Sequence, residues 1–378
     1  MMSQLRKQTK RVGVKSVAAA AFHDTGSNGG FAMSERERNG VVPGMENVPR
    51  NQWYVAAGRD EIGRELLARR LLNIPVILYR TENGEPVALH DRCPHRFLPF
   101  SHGKLVGNEV QCGYHGLRFG ADGKCTRVPT QDSIPAQMCV HSYPLVEKGL
   151  WTWIWLGDPD RADPALIPDT GHVKPGYDSI FYFCQPLKGD YLRLHENLMD
   201  TSHPTFLHPN SFDGGELADA PFRFETEGRM VRLIRETPDY IPNTNTAIFF
   251  NLEPGTRVRR SLISETHAPC LNTIINRFVY SDDPTRAPCE MVSELPVVPS
   301  GPKGCYHYMS SNTSFKMTRV AEFGASLRSV VLQDVVALEA IEQQMEDDPE
   351  ARETSVHADA PSLRLRRIIQ KMAADERL

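Results

Sequence analysis

The chain has 378 residues and a formal net charge of −4, with a pI near 6.4. That length supports two domains with cores of their own, and the near balance of charge excludes a general affinity for nucleic acid or anionic membrane. The longest small or apolar run near the N-terminus, residues 16–22, is too short to span a bilayer, so no membrane anchor is expected.

Residues 1–45 mix Arg6, Lys7, Lys10, Arg11 and Lys15 with Ala, Ser and Gly and show no periodicity, which predicts a disordered tail. Met33 and Met45 are read as candidates for the true start. Order is expected to begin near Asn51-Gln52-Trp53-Tyr54-Val55, and short strands with turn signals then predict a small antiparallel domain over 46–165. Ile74-Pro75-Val76-Ile77-Leu78-Tyr79 reads as a strand, Asn83-Gly84 as a hairpin turn and Val87-Ala88-Leu89 as the returning strand. That strand runs into Cys93-Pro94-His95. Farther on, Cys112-Gly113-Tyr114-His115 precedes a second hairpin, Leu117-Arg118-Phe119, Asp122-Gly123 and Cys125-Thr126-Arg127. Each Cys-His pair therefore falls on a tight loop at a hairpin end, relieved by Pro94, Gly113 and Gly116.

Two Cys-His pairs in this order suit a Rieske-type [2Fe–2S] centre, in which one iron takes two thiolates and the other two imidazoles. A structural zinc site uses the same donors, but a zinc finger groups two Cys and then two His. The remaining six, Cys125, Cys139, Cys184, Cys270, Cys289 and Cys305, lack framework spacing and are expected as reduced thiols of a cytoplasmic protein.

In Leu150-Trp151-Thr152-Trp153-Ile154-Trp155-Leu156 three tryptophans share one face of a strand, a pattern of core or subunit contact. A Pro/Asp-rich linker over 158–168 leads to a second domain, 166–378. There Asp190 is a candidate N-cap for a helix through Asp200, which Pro204 ends near His203. Runs such as Met230-Val231-Arg232-Leu233-Ile234, Ala247-Ile248-Phe249-Phe250 and Thr273-Ile274-Ile275 predict an antiparallel sheet over 222–315. A long helix is expected over 318–345 and a last one after Asp359-Ala360-Pro361. The fold class is α+β.

Asn197, Asp200 and His203 step by three along the predicted helix end and can share one side of it. A strand-like Leu207-His208-Pro209 then brings a second imidazole back to that point. Two imidazoles and a carboxylate make the facial triad that binds ferrous iron and leaves positions open for O2. Leu327, Val331, Leu338, Ile341 and Met345 form an apolar seam on the long helix, and Asp334 completes it. A carboxylate there is costly unless paired or metal-bound; Asp200 is the competing carboxylate. His195, His102 and His141 are weaker candidates as ligands.

This arrangement, Cys93/His95/Cys112/His115 followed by Asn197-x-x-Asp200-x-x-His203-x4-His208 and Gln333-Asp334, resembles the oxygenase component of Rieske non-haem iron oxygenases. It is most similar to the branch of vanillate O-demethylase, dicamba monooxygenase and phthalate dioxygenase. Cys-Pro-His-Arg from Cys93, Cys-Gly-Tyr-His-Gly-Leu-Arg-Phe from Cys112, Trp-Ile-Trp-Leu-Gly-Asp-Pro from Trp153 and Ile-Pro-Asp from Ile167 all match it. The resemblance extends from about residue 48 to the C-terminus.

It implies Cys93, His95, Cys112 and His115 as cluster ligands and His203, His208 and Asp334 as ligands of a mononuclear Fe(II). It makes Asp200 a bridging acid between subunits, with Asn197 beside the iron. It also implies a helix-grip catalytic domain, a homotrimer and a separate ferredoxin or NAD(P)H-dependent reductase. No dinucleotide fingerprint is present in the chain. Arg92, Arg96, Lys104, Arg118, Lys124 and Arg127 flank the cluster loops and can steer an acidic carrier. The expected reaction is O2-dependent O- or N-dealkylation of an aromatic compound. Ring hydroxylation or cis-dihydroxylation of a phthalate-like carboxylate is the alternative. A Rieske electron carrier would leave His203 and His208 without a role. Phe206, Phe249 and Phe250 are candidates for the pocket wall.

Overall fold

The computed structural model describes residues 44–209 and 217–377. The short strands of the first part are β1 (Trp53–Gly58), β2 (Leu67–Leu71), β3 (Ile74–Arg80), β4 (Pro86–His90), β5 (Lys104–Val106), β6 (Glu109–Gln111), β7 (Arg118–Phe119), β8 (Cys125–Arg127), β9 (Leu145–Lys148) and β10 (Trp151–Trp155). They form three antiparallel sheets, ordered β1-β10-β9, β2-β3-β4 and β5-β6-β7-β8. Gln111 pairs with Arg118 across β6 and β7, so the 112–117 segment is the loop between two paired strands. The β3–β4 hairpin, with Val76 opposite His90, delivers the chain to Cys93. The predicted tail lies outside the described residues except for 44 and 45, and Met45 is buried in the largest core cluster.

Strand β10 is buried at every position, not on one face alone. It has this character because it lies between two layers. Trp151 packs edge-on against Tyr308 at 5.9 Å and Phe181 at 5.8 Å, and its indole N–H donates to Glu294 Oε2 at 2.9 Å. The Tyr308 hydroxyl in turn donates to the Ala56 carbonyl at 2.8 Å. One core cluster thus takes in Trp53, Trp151, Leu187, Tyr308 and Ile369, running across the predicted boundary at 165/166.

The second part is one seven-stranded antiparallel sheet. Its strands are β11 (Asp178–Leu187), β12 (Phe222–Glu227), β13 (Met230–Tyr240), β14 (Val258–His267), β15 (Leu271–Tyr280), β16 (Cys289–Gly301) and β17 (Gly304–Thr313), in the order β11-β17-β16-β15-β14-β13-β12. Helices α1 (Tyr191–Met199), α2 (Pro204–Leu207), α3 (Thr244–Phe249), α4 (Val320–Asp347) and α5 (Ala360–Asp375) accompany it. Asp190 caps α1 as expected, accepting from Leu192 N at 2.9 Å. No helix among the described residues is long and apolar enough to cross a membrane.

Three local expectations are corrected. Residues 247–249 lie in helix α3, not in a strand, with Phe250 at its C-cap, because Asn243 after Pro242 caps the helix, accepting from Thr246 N at 2.8 Å. Four apolar residues alone do not separate a strand from a buried helical turn. Helix α1 stops at Met199, before His203, because Asp200 Oδ1 accepts from Ser202 N and Oγ at 2.6 Å and turns the chain out of the helix. Residue 207 ends helix α2, so the chain enters His208 from a helical turn and not along a strand. On α4, Val331, Asp334 and Leu338 are buried, but the apolar seam fades beyond them, with Ile341 43% exposed.

Two imidazoles are buried among these layers. Burial pushes His195 and His307 down to about 4, although His195 gains hydrogen bonds to Asn272 and the Pro269 carbonyl. An unfolded imidazole takes up its proton near pH 6.5. Between these values the unfolded chain binds more protons than the native one, so stability falls as pH drops from about 6.5 to about 4. The urea midpoint should therefore decline between pH 7 and pH 5; a flat midpoint over that interval would contradict neutral burial of both rings.

Candidate metal centres

The two Cys-His loops share one backbone design. Cys93 N donates to Leu98 O at 2.9 Å and Phe97 N to Cys93 O at 2.9 Å; Cys112 N donates to Leu117 O at 2.8 Å and Gly116 N to Cys112 O at 3.1 Å. The fifth position is left-handed in both, with φ of 64° at Phe97 and 71° at Gly116. Gly113 is required for another reason: a Cβ there would meet the His102 carbonyl oxygen at 2.4 Å. These loops bring Cys93 and Cys112 together in the interior, 1% and 2% exposed. Burial, and then Cys112 beside it, pushes the Cys93 thiol up to about 12. A proton held that firmly yields to a metal that takes the sulfur in its place.

The imidazoles of His95 and His115 face each other with centroids 4.4 Å apart, and Tyr114 lies 3.8 Å from His115. His95 Nδ1 is buried without a hydrogen-bond partner among the described residues, as a metal-ligating nitrogen would be before loading. No three of these four donors come within 4.8 Å of one another. A tetrahedral zinc would draw all four to about 4 Å. The donor set fits a cluster with two irons and does not fit a single zinc.

A different group does converge. Among the described residues, His203, His208 and Asp334 are the set whose ligand atoms all lie within 4.8 Å. His208 Nε2 is 3.1 Å and His203 Nε2 3.5 Å from Asp334 Oδ1. The connection between α1 and α2 supplies the first imidazole, the end of α2 the second and the buried face of α4 the carboxylate. His208 Nδ1 faces Gln333 Oε1 at 2.7 Å, an acceptor that keeps the proton on Nδ1 and frees Nε2 for a metal. Asn197 Nδ2 donates to Asp334 Oδ1 at 3.0 Å, while Asn197 Oδ1 is buried without a partner among the described residues.

Asp200 stands behind this group, its Oδ2 3.7 Å from His203 Nδ1. Burial raises its pKa, but the His203 imidazole beside it and hydrogen bonds from Ser202 outweigh that and hold the carboxyl below its usual range. Arg235, 3% exposed, pins the same turn by donating from Nε to Thr201 Oγ1 at 2.6 Å.

The His203/His208/Asp334 group opens on a cavity of about 190 Å³ with walls of Leu262, Ile274, Met291, Leu295 and Phe250. Of the aromatic candidates only Phe250 lines it; Phe206 is 76% exposed and Phe249 packs on Phe323 at 5.1 Å. His195 is held by Asn272 and Pro269 away from the group, and His102 and His141 lie in the cluster domain. The sequence names Gln333 only within the Gln333-Asp334 motif, without a role, and nothing in it marks Arg235. Gln333 neighbours Asp334 in sequence, which is a usable signal; Arg235 sits in an ordinary strand and offers none.

Fold and donor geometry define an iron–sulfur protein with a second, mononuclear non-haem iron site. Comparison narrows the class. The profile of the vanillate O-demethylase oxygenase C-terminal domain matches residues 187–375, and that of the Rieske [2Fe-2S] domain matches residues 52–144. The oxygenase component of dicamba O-demethylase from Stenotrophomonas maltophilia is 31% identical over 338 residues, 85% of this chain and 97% of the relative. The iron–sulfur subunit of the toluene-4-sulfonate monooxygenase system from Comamonas testosteroni is 44% identical over 170 residues, 43% of this chain and only 47% of the relative. A crystal structure of dicamba monooxygenase bound to 3,6 dichlorosalicylic acid superposes with a TM-score of 0.78 at 29% identity, over 86% of this chain and 98% of that one. The chain belongs to the oxygenase components of the Rieske non-haem iron oxygenases, with a Rieske [2Fe–2S] cluster and a mononuclear iron as cofactors.

The paired loops differ at one strained position, and this is testable by substitution. Gly116→Ala should cost about 1 kcal/mol, because an L side chain resists the left-handed region. Phe97→Gly should cost nothing, since it relieves that strain and removes a ring that is 65% exposed. Melting followed at the cluster absorbance reads both; equal losses would contradict the common loop geometry.

Proposed function

We propose that this chain is the terminal oxygenase of a multicomponent Rieske system that removes an O- or N-alkyl group from an aromatic compound by monooxygenation. The observation that carries the reading is the meeting of His203, His208 and Asp334 beneath an apolar cavity, in a chain that also builds the paired Cys-His loops. In this reading Cys93, His95, Cys112 and His115 hold the cluster, over 46–165, and His203, His208 and Asp334 hold the iron, over 166–378. When bound, the cluster stores an electron and the iron activates O2.

The protein's own groups prepare that chemistry. Gln333 fixes the His208 tautomer, and Asn197 orients the Asp334 carboxylate. The apolar walls hold the aromatic ring and exclude water. Hydroxylation of the alkyl carbon gives a hemiacetal or carbinolamine, whose collapse breaks the carbon–heteroatom bond and releases an aldehyde. The name of the dicamba O-demethylase relative supports this reaction.

Asp200 is the bridging acid in this reading, joining His203 to a cluster histidine of a neighbouring copy in a head-to-tail trimer. Its side chain is 32% exposed, and the cluster tip presents Tyr114 and Phe97 at 64% and 65% exposure, which supports contact between surfaces. Electrons come from a separate ferredoxin or NAD(P)H-dependent reductase, which the exposed Arg96, Lys104, Lys124 and Arg127 would receive. The six cysteines other than Cys93 and Cys112, none of them in a disulfide, support a cytoplasmic location.

Two measurements test the reading. Fully loaded protein should carry three irons per chain, and Asp334→Ala should reduce this to two while the Rieske EPR signal persists; a third iron retained by that variant would remove Asp334 from the ligand set. With a surrogate reductase, methoxy- or N-alkyl aromatics should release formaldehyde or a higher aldehyde in step with O2 uptake. Diol products without aldehyde would replace dealkylation by ring dihydroxylation.

A further inference from the structure

A second cavity, of about 270 Å³, lies where the first part of the chain meets the large sheet. It is lined by Lys148 at the end of β9, the 164–169 connection, Arg229 in the β12–β13 turn, and His267 and Ala268 where β14 turns toward β15. It shares no lining residue with the cavity over His203, His208 and Asp334. Strand parity explains the separation. Leu262 of β14 lines the iron-site cavity, and His267, an odd number of residues farther along the same strand, belongs to the opposite face of the sheet.

The fold does not balance the charges in this cavity. Arg229 is half-buried, its Nη1 donates to Gln52 Oε1, and no carboxylate pairs with it among the described residues. A guanidinium keeps its charge at any working pH and carries five N–H donors, of which that contact uses one. Lys148 Nζ donates to the Ile167 carbonyl at 3.3 Å and lies 3.7 Å from Asp169 Oδ2, but the two side chains are 43% and 80% exposed. An ion pair so open to water is weak, and the ammonium can turn to a competing anion. His267 Nε2 donates to the buried Glu265 at 2.6 Å, and Arg232 and His172 meet the same carboxylate at 2.5 and 3.4 Å. Glu265 is thus compensated by groups other than Arg229. Pro164, Leu166, Ile167 and Pro168 give the cavity an apolar wall.

We propose that this junction cavity is a second ligand site, which takes a small carboxylate with an apolar body, the acid group on Arg229 and Lys148 and the body against Leu166 and Ile167. A hydrated inorganic anion would leave the apolar wall wet, and a neutral compound would leave the guanidinium unpaired. The size fits: a cavity of about 150 Å³ accepts benzene, and this one, at about 270 Å³, has room for a six-membered ring bearing an acid group. Such a ligand would join segments that the fold already ties together here. Trp53 Nε1 donates to the Asp163 carbonyl at 2.8 Å, Gln52 accepts from Arg229, and Ala268 N donates to the Arg229 carbonyl at 3.0 Å. Occupancy therefore stabilises the junction between the cluster-bearing part and the large sheet. The site is independent of the reaction at the iron centre.

Calorimetry on the fully metal-loaded protein tests the proposal with three probes: cyclohexanecarboxylate, its neutral amide and inorganic phosphate. Wild-type protein should bind the carboxylate about tenfold or more tighter than either of the others. Arg229→Gln should weaken the carboxylate about tenfold, and Lys148→Gln, at the more exposed cation, roughly threefold. At about a hundredfold excess over Kd the carboxylate should raise the melting temperature of the wild type by about 4 °C, and that of Arg229→Gln by about half as much. Both substitutions leave the iron-site cavity intact, so any carboxylate held there contributes equally to every variant. Equal carboxylate affinity in the wild type and Arg229→Gln overturns the site; if Arg229→Gln does not fold, equal affinity in Lys148→Gln does so. Phosphate or the amide binding as tightly as the carboxylate overturns the class of ligand.

Discussion

A carboxylate on the buried face of a long helix is the constraint on which the rest of this structure turns. Asp334 is 6% exposed and faces the Nε2 atoms of two imidazoles. An ionised carboxylate removed from water costs several kcal/mol unless a cation or several donors compensate it. Asn197 supplies one hydrogen bond, and a divalent ion between carboxylate and imidazoles would supply the remaining compensation. Everything nearby fixes the approach of α4 to the α1–α2 turn. Gln333 meets His208 from the same helix, Ser202 folds the turn back on Asp200, and Arg235 ties Thr201 to the sheet.

The cluster loops solve the opposite electrostatic problem. Their thiols are buried and their imidazoles lie nearer the surface, so a cluster held between them would face a low-dielectric interior on one side and the surface on the other. The His115 ring is exposed while Cys112 is not. Such a loop needs a rigid base, which β10 supplies. Its tryptophans tie the small sheets to Tyr308 and Glu294 of the large sheet, so the two centres are carried by layers that share one core. Glu294 is itself buried, and burial raises its pKa even though the Trp151 indole donates to it.

The ligand cavity combines these features with a polarity of its own. Apolar side chains from β14, β15, β16 and β17 face it from alternate positions, as the pleat requires, with Arg260 and His307 set on the same face of the sheet.

How much of this was legible before folding depends on the range of the interaction involved. The Cys-His pairs, their hairpins and the Asp190 cap are local: spacing, turn residues and capping chemistry act within a few residues, so the sequence by itself determined them. Asp334 was legible because a charge interrupted an apolar seam with helical period. Other features were not. Residues 247–249 became helix because a capping Asn overrode strand propensity, and α1 ended early because one side-chain turn at Asp200 outcompeted the helix. Tertiary structure alone decided that Gln333 would orient His208, that the Trp strand would be buried on both sides and that Arg260 would face the iron cavity. Those outcomes depend on which distant strands and helices pack together, and no pattern within one segment encodes its partner across the core.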